Sequence, residues 1–176
     1  SARFARFPVP LALGEPMSDQ TPPPNPAARP ERESLAGITF RPAHDSDAGA
    51  LVALWEACGL TRPWNDPRKD IGFARDGAAS DVLVGVEGDV IIASVMVGHD
   101  GHRGAVYYVA VDPSRQGTRL GRAVMAAAED WLKARGVWKL NLMVRETNLA
   151  ALGFYEGLGF QRSDVVVMQK VLTAED

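Results

Sequence analysis

The residues of this chain best suited to chemistry are gathered in one stretch, Val109-Ala110-Val111-Asp112-Pro113-Ser114-Arg115-Gln116-Gly117-Thr118-Arg119-Leu120-Gly121-Arg122. It reads as a buried strand, a turn and the start of an amphipathic helix. The first turn of a helix leaves backbone N–H groups without partners and carries the positive end of the helix dipole. Gly117 and Gly121 would let a bulky anion approach that backbone closely, and phosphate or pyrophosphate is the anion such a turn suits. The stretch is not a Walker A loop, since no Gly-Lys-Ser/Thr follows, and it is not a Rossmann G-x-G-x-x-G. Taken alone, it fits equally well a tight turn whose two glycines serve packing.

Other reactive groups are fewer. Tyr155 carries a hydroxyl with an ordinary pKa of about 10, so it stays protonated at neutral pH and can donate a proton. Its i, i+4 spacing with Ala151 and Gly159 also suits a core tyrosine. Trp64, Asn65 and Asp66 lie in a loop, where Asp66 suits a cationic ligand and equally suits the cap of a helix opened by Pro67. His44, His99 and His102 are too few and too scattered for a metal cluster. The single cysteine, Cys58, excludes an intramolecular disulfide and a cysteine-ligated zinc site, and its place on an apolar helix face reads as core. No metal is implied.

The elements that must position these groups follow from periodicity and punctuation. Strands are expected at residues 38–41, 82–86, 90–98, 105–111, 138–144 and 165–171, with a hairpin at Glu87-Gly88-Asp89. Asp45, Ser46 and Asp47 cap a helix with Leu51, Leu54, Trp55 and Cys58 on one face. Asp66-Pro67 opens a second helix, and Leu120, Val124, Ala127 and Trp131 mark a long third one that ends at Gly136. Residues 148–158 form a fourth, closed by Gly159. Meander strands followed by a strand–helix–strand unit imply an α/β fold, a mixed sheet with helices on both faces.

Composition bounds the function. The chain has 176 residues, 46% of them hydrophobic and 23% charged, which suits a globular domain with a real core. A net charge of −3 argues against nucleic acid or an anionic membrane as partner. The longest apolar run, residues 90–97, falls far short of the roughly 20 needed to cross a bilayer. A cytoplasmic location is expected. Eight of the 12 prolines fall in the first 36 residues, so residues 1–37 read as an extended tail and 38–176 as the domain. Met17 is a candidate start, and docking of the tail on a neighbouring subunit, in a homodimer, is the alternative to a free extended chain.

One strand after the glycine-bearing turn comes Asn148-Leu149-Ala150-Ala151-Leu152-Gly153-Phe154-Tyr155-Glu156-Gly157-Leu158-Gly159-Phe160. In this order and spacing the two segments resemble the GCN5-related N-acetyltransferases. That superfamily has a Q/R-x-x-G-x-G/A turn for the coenzyme A pyrophosphate and then an N-x-x-A-x-x-F/L-Y-x-x-x-G-F helix. The resemblance covers residues 38–172. At residues 54–58, 62–67 and 100–108 the chain is similar to the bacterial YpeA-type acetyltransferases. One position departs from the pattern: Arg119 stands where the family usually has glycine.

The resemblance implies a mostly antiparallel, twisted central sheet and acetyl-CoA as co-substrate. The acetyl group would pass to a primary amine by direct attack in a ternary complex. Val109, Val111, Gln116, Gly117, Thr118, Arg119, Leu120, Gly121, Arg122, Asn148 and Tyr155 are the implied cofactor-binding residues. Asn148 also reads as a helix N-cap. Tyr155 would protonate the departing thiolate, and the backbone N–H near Val109 would meet the thioester oxygen. Trp64, Asn65, Asp66, His102 and Tyr107 are the candidate acceptor-site residues, with the amine of a small molecule or a protein N-terminus as acceptor. The glutamate that serves some members as base has no counterpart among residues 105–108, leaving His99, His102, Tyr107 or a water chain. A non-catalytic acyl-CoA-binding domain of the same fold is the rival expectation.

Overall fold

The structure is a computed structural model in which Leu35 and residues 37–172 are described. The tail expected over residues 1–37 otherwise lies outside the described residues. The folded unit comprises β1 (Ile38–Pro42), α1 (Ala48–Ala57), α2 (Pro67–Asp76), β2 (Ser80–Glu87), β3 (Val90–His99), β4 (Gly104–Val111), α3 (Leu120–Lys133), β5 (Leu140–Asn141) and α4 (Leu149–Glu156). The strands form one sheet in the order β1-β2-β3-β4-β5. The first three pairings are antiparallel and β4 pairs with β5 in parallel, the mixed and mostly antiparallel sheet expected.

Alternation along the central strands sends side chains to two cores. On one face Leu83, Ala93, Val95, Val97 and Val106 pack against Leu120, Val124, Met125, Ala128 and Leu132, the helical stripe of α3. On the other, Val82, Val84, Val86 and Ala110 pack against Leu51, Leu54 and Trp55 of α1 and Ile71 and Ala74 of α2. Both faces being covered explains why β2 and β3 do not alternate apolar with polar residues, as a half-exposed sheet would.

A bulge interrupts β4. Met96 opposes Tyr107 and Ser94 opposes Ala110, so Tyr108 and Val109 together face Val95. Tyr108 takes a positive φ of 47°, a conformation that non-glycine residues adopt only under local constraint. That constraint is visible. The Tyr108 ring stacks on Trp55 with centroids 3.9 Å apart, and the buried Ser94 hydroxyl, which accepts the Trp55 indole N–H at 2.8 Å, reaches the Tyr108 carbonyl at 3.3 Å.

Two expectations are corrected. The strand expected at 138–144 is only Leu140–Asn141, paired with Gly104 and Ala105. Trp138 instead lies exposed beneath the Arg103 guanidinium, 4.2 Å from its ring centroid. The strand expected at 165–171 does not form: those residues carry no regular structure, and Val165, Val166, Val167 and Met168 are exposed. A strand exists only through its ladder partner, and a two-residue β5 offers almost none.

Candidate active site

The turn between β4 and α3 is shaped by local hydrogen bonds. Asp112 Oδ1 accepts from Ser114 N at 2.8 Å and from the Ser114 hydroxyl at 2.6 Å, which holds its carboxyl below the usual carboxylate range. Thr118 Oγ1 donates to the Arg115 carbonyl at 2.5 Å, and Arg115 pairs with Glu87. Gly117 has φ 80°, and a Cβ there would meet nothing within 4 Å, so glycine serves the backbone bend. Arg119 also sits in the left-handed region, at φ 64°, as the N-cap residue of α3. This is the place where the resembling family uses glycine, and the backbone keeps a glycine-like path in spite of the side chain. The first N–H groups of α3, which lack intrahelical partners, thus follow directly on an exposed turn, as an anion cradle requires.

Gly121 works differently. A Cβ there would come within 3.1 Å of the Phe154 ring, so its missing side chain is what lets α4 close on α3. Arg122 fastens the same contact by donating to the Gly157 carbonyl at 3.1 Å. Leu120 is buried in the core, leaving only its backbone for a ligand. Gln116 is exposed, while Val109 and Val111 pack, half-buried, on the α3 face of the sheet.

α4 positions Tyr155. Asn148 caps the helix, its Oδ1 accepting from Ala151 N at 3.1 Å. The Tyr155 ring is half-buried against the α3-side core and meets Phe154 and Phe160 edge to face at 5.0 and 5.6 Å. Burial pushes its phenol above the ordinary value. Among the described residues the hydroxyl has no hydrogen-bond partner, and it is not sealed from solvent. A protonated phenol with an uncommitted O–H can serve as a general acid.

On the opposite face of β4, Leu60, Asn65, Asp70, Met96, Tyr107 and Tyr108 line a cleft of about 440 Å³. Tyr108 Oη donates to Asp70 Oδ2 at 2.7 Å, and Asn65 Nδ2 donates both to Tyr108 Oη, at 2.8 Å, and to Asp70 Oδ2. Desolvation, then the Asp70 carboxylate, pushes the Tyr108 phenol up to about 12. Of the expected acceptor-site residues, Asn65 and Tyr107 are brought into this cleft. Trp64 and Asp66 border an adjoining depression that shares Asn65 and Asp70. Asp66 also caps α2, accepting from Arg68 N at 2.9 Å. His102 stands apart in the exposed turn between β3 and β4, and His99 Nδ1 accepts from Gly101 N in that same turn. Cys58 is half-buried, its Sγ 3.3 Å from the Val111 carbonyl, and burial pushes its thiol up, which suits an inert core residue.

Sequence reasoning missed Asp70 and Tyr108. Asp70 follows Asp66 by one helical turn, and two adjacent tyrosines in an otherwise alternating strand hint at a bulge. Neither signal says that the two side chains meet.

Beyond Gly104–Ala105 the edge of β4 that faces β5 is unpaired. Comparison with known proteins agrees with the fold. The chain is 41% identical over 138 residues to an acetyltransferase of Yersinia enterocolitica, covering 78% of this chain and 98% of that one. The ribosomal-protein-S18-alanine N-acetyltransferase of Escherichia coli superposes with a TM-score of 0.62 at 25% identity, over 72% of this chain and 79% of that one. AAC(6')-Iy, solved in complex with the bisubstrate analogue CoA-S-monomethyl-acetylneamine, shares the fold with a TM-score of 0.66 at 13% identity, over 77% and 99%. The sequence pattern of the acetyltransferase (GNAT) family matches residues 40–160. With the glycine turn, the parted strands and the tyrosine helix in one folded unit, this chain belongs to the GNAT family of acetyltransferases.

Proposed function

We propose that the protein transfers the acetyl group of acetyl-CoA to a primary amine. The observation that carries this reading is the gap in the sheet. β4 leaves β5 after two residue pairs, the glycine turn follows the end of β4, and Tyr155 packs against the same α3-side core as Val109 and Val111. The backbone of residues 116–122 would hold the pyrophosphate of coenzyme A, whose thioester supplies the activated acetyl group. The edge of β4 near Val109, freed from pairing, would offer an N–H to the thioester oxygen. Tyr155, kept protonated by burial, would donate its proton to the thiolate as the C–S bond breaks, and the proton that the amine sheds as the C–N bond forms would pass through water to restore the phenol. Proximity supplies much of the acceleration when both reactants are held together, and no covalent enzyme intermediate is needed. No helix among the described residues is long and apolar enough to cross a membrane, which fits the proposed work in the cytoplasm.

The test is acetyl-CoA binding by calorimetry together with thiol release from acetyl-CoA across peptides, polyamines and aminoglycosides. Saturable binding with turnover of at least one amine class is expected. Coenzyme A binding without turnover on any of them would favour a non-catalytic acyl-CoA-binding domain.

A further inference from the structure

β4 carries one residue more than its partner strand can pair, and that residue is clamped. Tyr108 is held at three points by three different elements. Its ring stacks on Trp55 of α1, its hydroxyl donates to Asp70 of α2 at 2.7 Å, and its carbonyl lies 3.3 Å from the Ser94 hydroxyl of β3. A φ of 47° is unfavourable for a residue with a Cβ and persists only where the surroundings hold it.

The Ser94 contact has a direction. Ser94 is fully buried, and its hydroxyl has a single proton to give. The Trp55 indole N–H can only donate, so the Ser94 oxygen accepts there, at 2.8 Å. Its own proton is thereby left for the Tyr108 carbonyl. That carbonyl and the Val109 N–H belong to one planar trans peptide, in which C=O and N–H point opposite ways. Whatever fixes the carbonyl therefore aims the N–H. The carbonyl is drawn toward Ser94 and Trp55, so the Val109 N–H is turned away from them. Val109 itself packs in the α3-side core that also holds Tyr155, whereas Trp55 belongs to the core on the other face.

Without the Ser94 proton the carbonyl would face an apolar core with its hydrogen bond lost, and rotation of the peptide toward another partner would become favourable. A donor that must first be turned into place contributes less than one held there beforehand, because only the second costs no reorganisation during the reaction.

We propose that Ser94, oriented by Trp55, is a positioning residue for acetyl transfer: its hydroxyl anchors the Tyr108 carbonyl and thereby aims the Val109 N–H at the thioester oxygen. The inference rests on the acetyl-transfer reading for the identity of the ligand, but the orientation of the donor does not require turnover.

The experiment uses the full chain and acetyl-CoA labelled with ¹³C at the acetyl carbonyl. Difference infrared spectra of the bound thioester read the hydrogen bond directly, and kcat and KM are measured on an amine that the wild type acetylates. In wild type the carbonyl band should lie below its position in free acetyl-CoA. Ser94→Ala should return it toward the free position and lower kcat at least tenfold, with KM for acetyl-CoA within twofold. Ser94→Cys, which keeps the size and a weaker donor, should fall between the two. Val82→Ala, a core truncation outside this hydrogen-bonded network, should lower the melting temperature while leaving the band in place. An undisplaced band in wild type, or a band that Ser94→Ala leaves where wild type has it, overturns the inference. So does a loss of kcat in Val82→Ala equal to that in Ser94→Ala, since stability alone would then explain both. A displaced band that depends on Ser94, with no amine acetylated, would instead remove the enzymatic reading and leave the positioning role standing.

Discussion

The end and the middle of β4 carry two proposed ligand surfaces made of different material. At the end of the strand, the turn before α3 is built from backbone. Gly117 and Arg119 take positive φ there, and the side chains of Gln116 and Thr118 are exposed. In its middle, the cleft under α2 is built from side chains, with Asn65, Asp70 and Tyr108 locking one another from three separate elements. A backbone site tolerates side-chain change but depends on dihedral angles. A side-chain site tolerates small backbone shifts but fails when one member is lost. The first suits an invariant handle such as a pyrophosphate, and the second suits selection among acceptors.

In the proposed reaction the group that moves a proton is Tyr155, so Tyr155→Phe is the harshest test of the arrangement. It keeps the ring and removes an O–H that holds nothing in the fold. Turnover should fall roughly 10²-fold, the usual scale of general acid catalysis. Acetyl-CoA affinity and melting temperature should hardly move. Because burial raises the phenol pKa, the protonated form persists upward in pH, and wild-type turnover should lose its acid only above about 10. An acetyl donor with a better leaving group should shrink the defect. Equal turnover of mutant and wild type on acetyl-CoA would remove Tyr155 from the chemistry.

Next in size is a test of what supports the side-chain surface. Ser94 is fully buried and accepts the Trp55 indole N–H, and Trp55 is the shelf on which Tyr108 stacks. Ser94→Ala strands that N–H in an apolar core, at a cost of about 1–3 kcal/mol. Chemical denaturation should register the loss, while acetyl-CoA affinity of the folded protein should be unchanged. A parallel loss of cofactor affinity would mean that the two surfaces are not independent.

The backbone surface is probed by a pair of substitutions. Gly117→Asp should weaken acetyl-CoA binding at least tenfold in calorimetry, because a carboxylate would face the pyrophosphate. Gly117→Asn, its neutral isostere and equally tolerant of positive φ, should bind nearly as wild type. If the two variants bind alike, charge is not what matters there and the cofactor lies elsewhere.

The smallest effect isolates the price of Arg119. Left-handed backbone costs a residue with a Cβ roughly 1 kcal/mol relative to glycine. Arg119→Gly should therefore be about 1 kcal/mol more stable than Arg119→Ala, since both lack the arginine side chain and differ only in Cβ. Equal melting curves for the two would show that the turn relaxes away from φ 64° at no cost.

The contrast also explains what was legible. The turn could be found in the sequence because its function lies in local dihedral preference and helix polarity, which a run of consecutive residues encodes. Gly117 and the start of α3 are set by their neighbours, as are the Asn148 cap, the α3 stripe and the β2–β3 hairpin. The Arg119 departure concerned a side chain, while the left-handed backbone at that place was kept.

The cleft was only half legible. Asn65 and Tyr107 were found from their loop and strand, whereas Asp70 looked like one more polar residue on an amphipathic helix. Its role is created by distance across the fold: 38 residues of chain separate it from Tyr108, and they touch because a bulge turns that ring onto Trp55. Gly121 shows the same limit in the other direction, since a glycine near the turn proved to make room for Phe154. The strands expected at 138–144 and 165–171 failed for a related reason. Apolar content marks a segment that can pair, but whether it pairs is decided by the length of edge its neighbour offers, and β5 offers two residues. Composition and local periodicity thus determined the sheet, its covering helices and the glycine-bearing turn, because those depend on each residue and its near neighbours. The tertiary structure alone decided which carboxylate meets Tyr108 and where β5 stops pairing with β4, because both arise from contacts between segments remote in the chain.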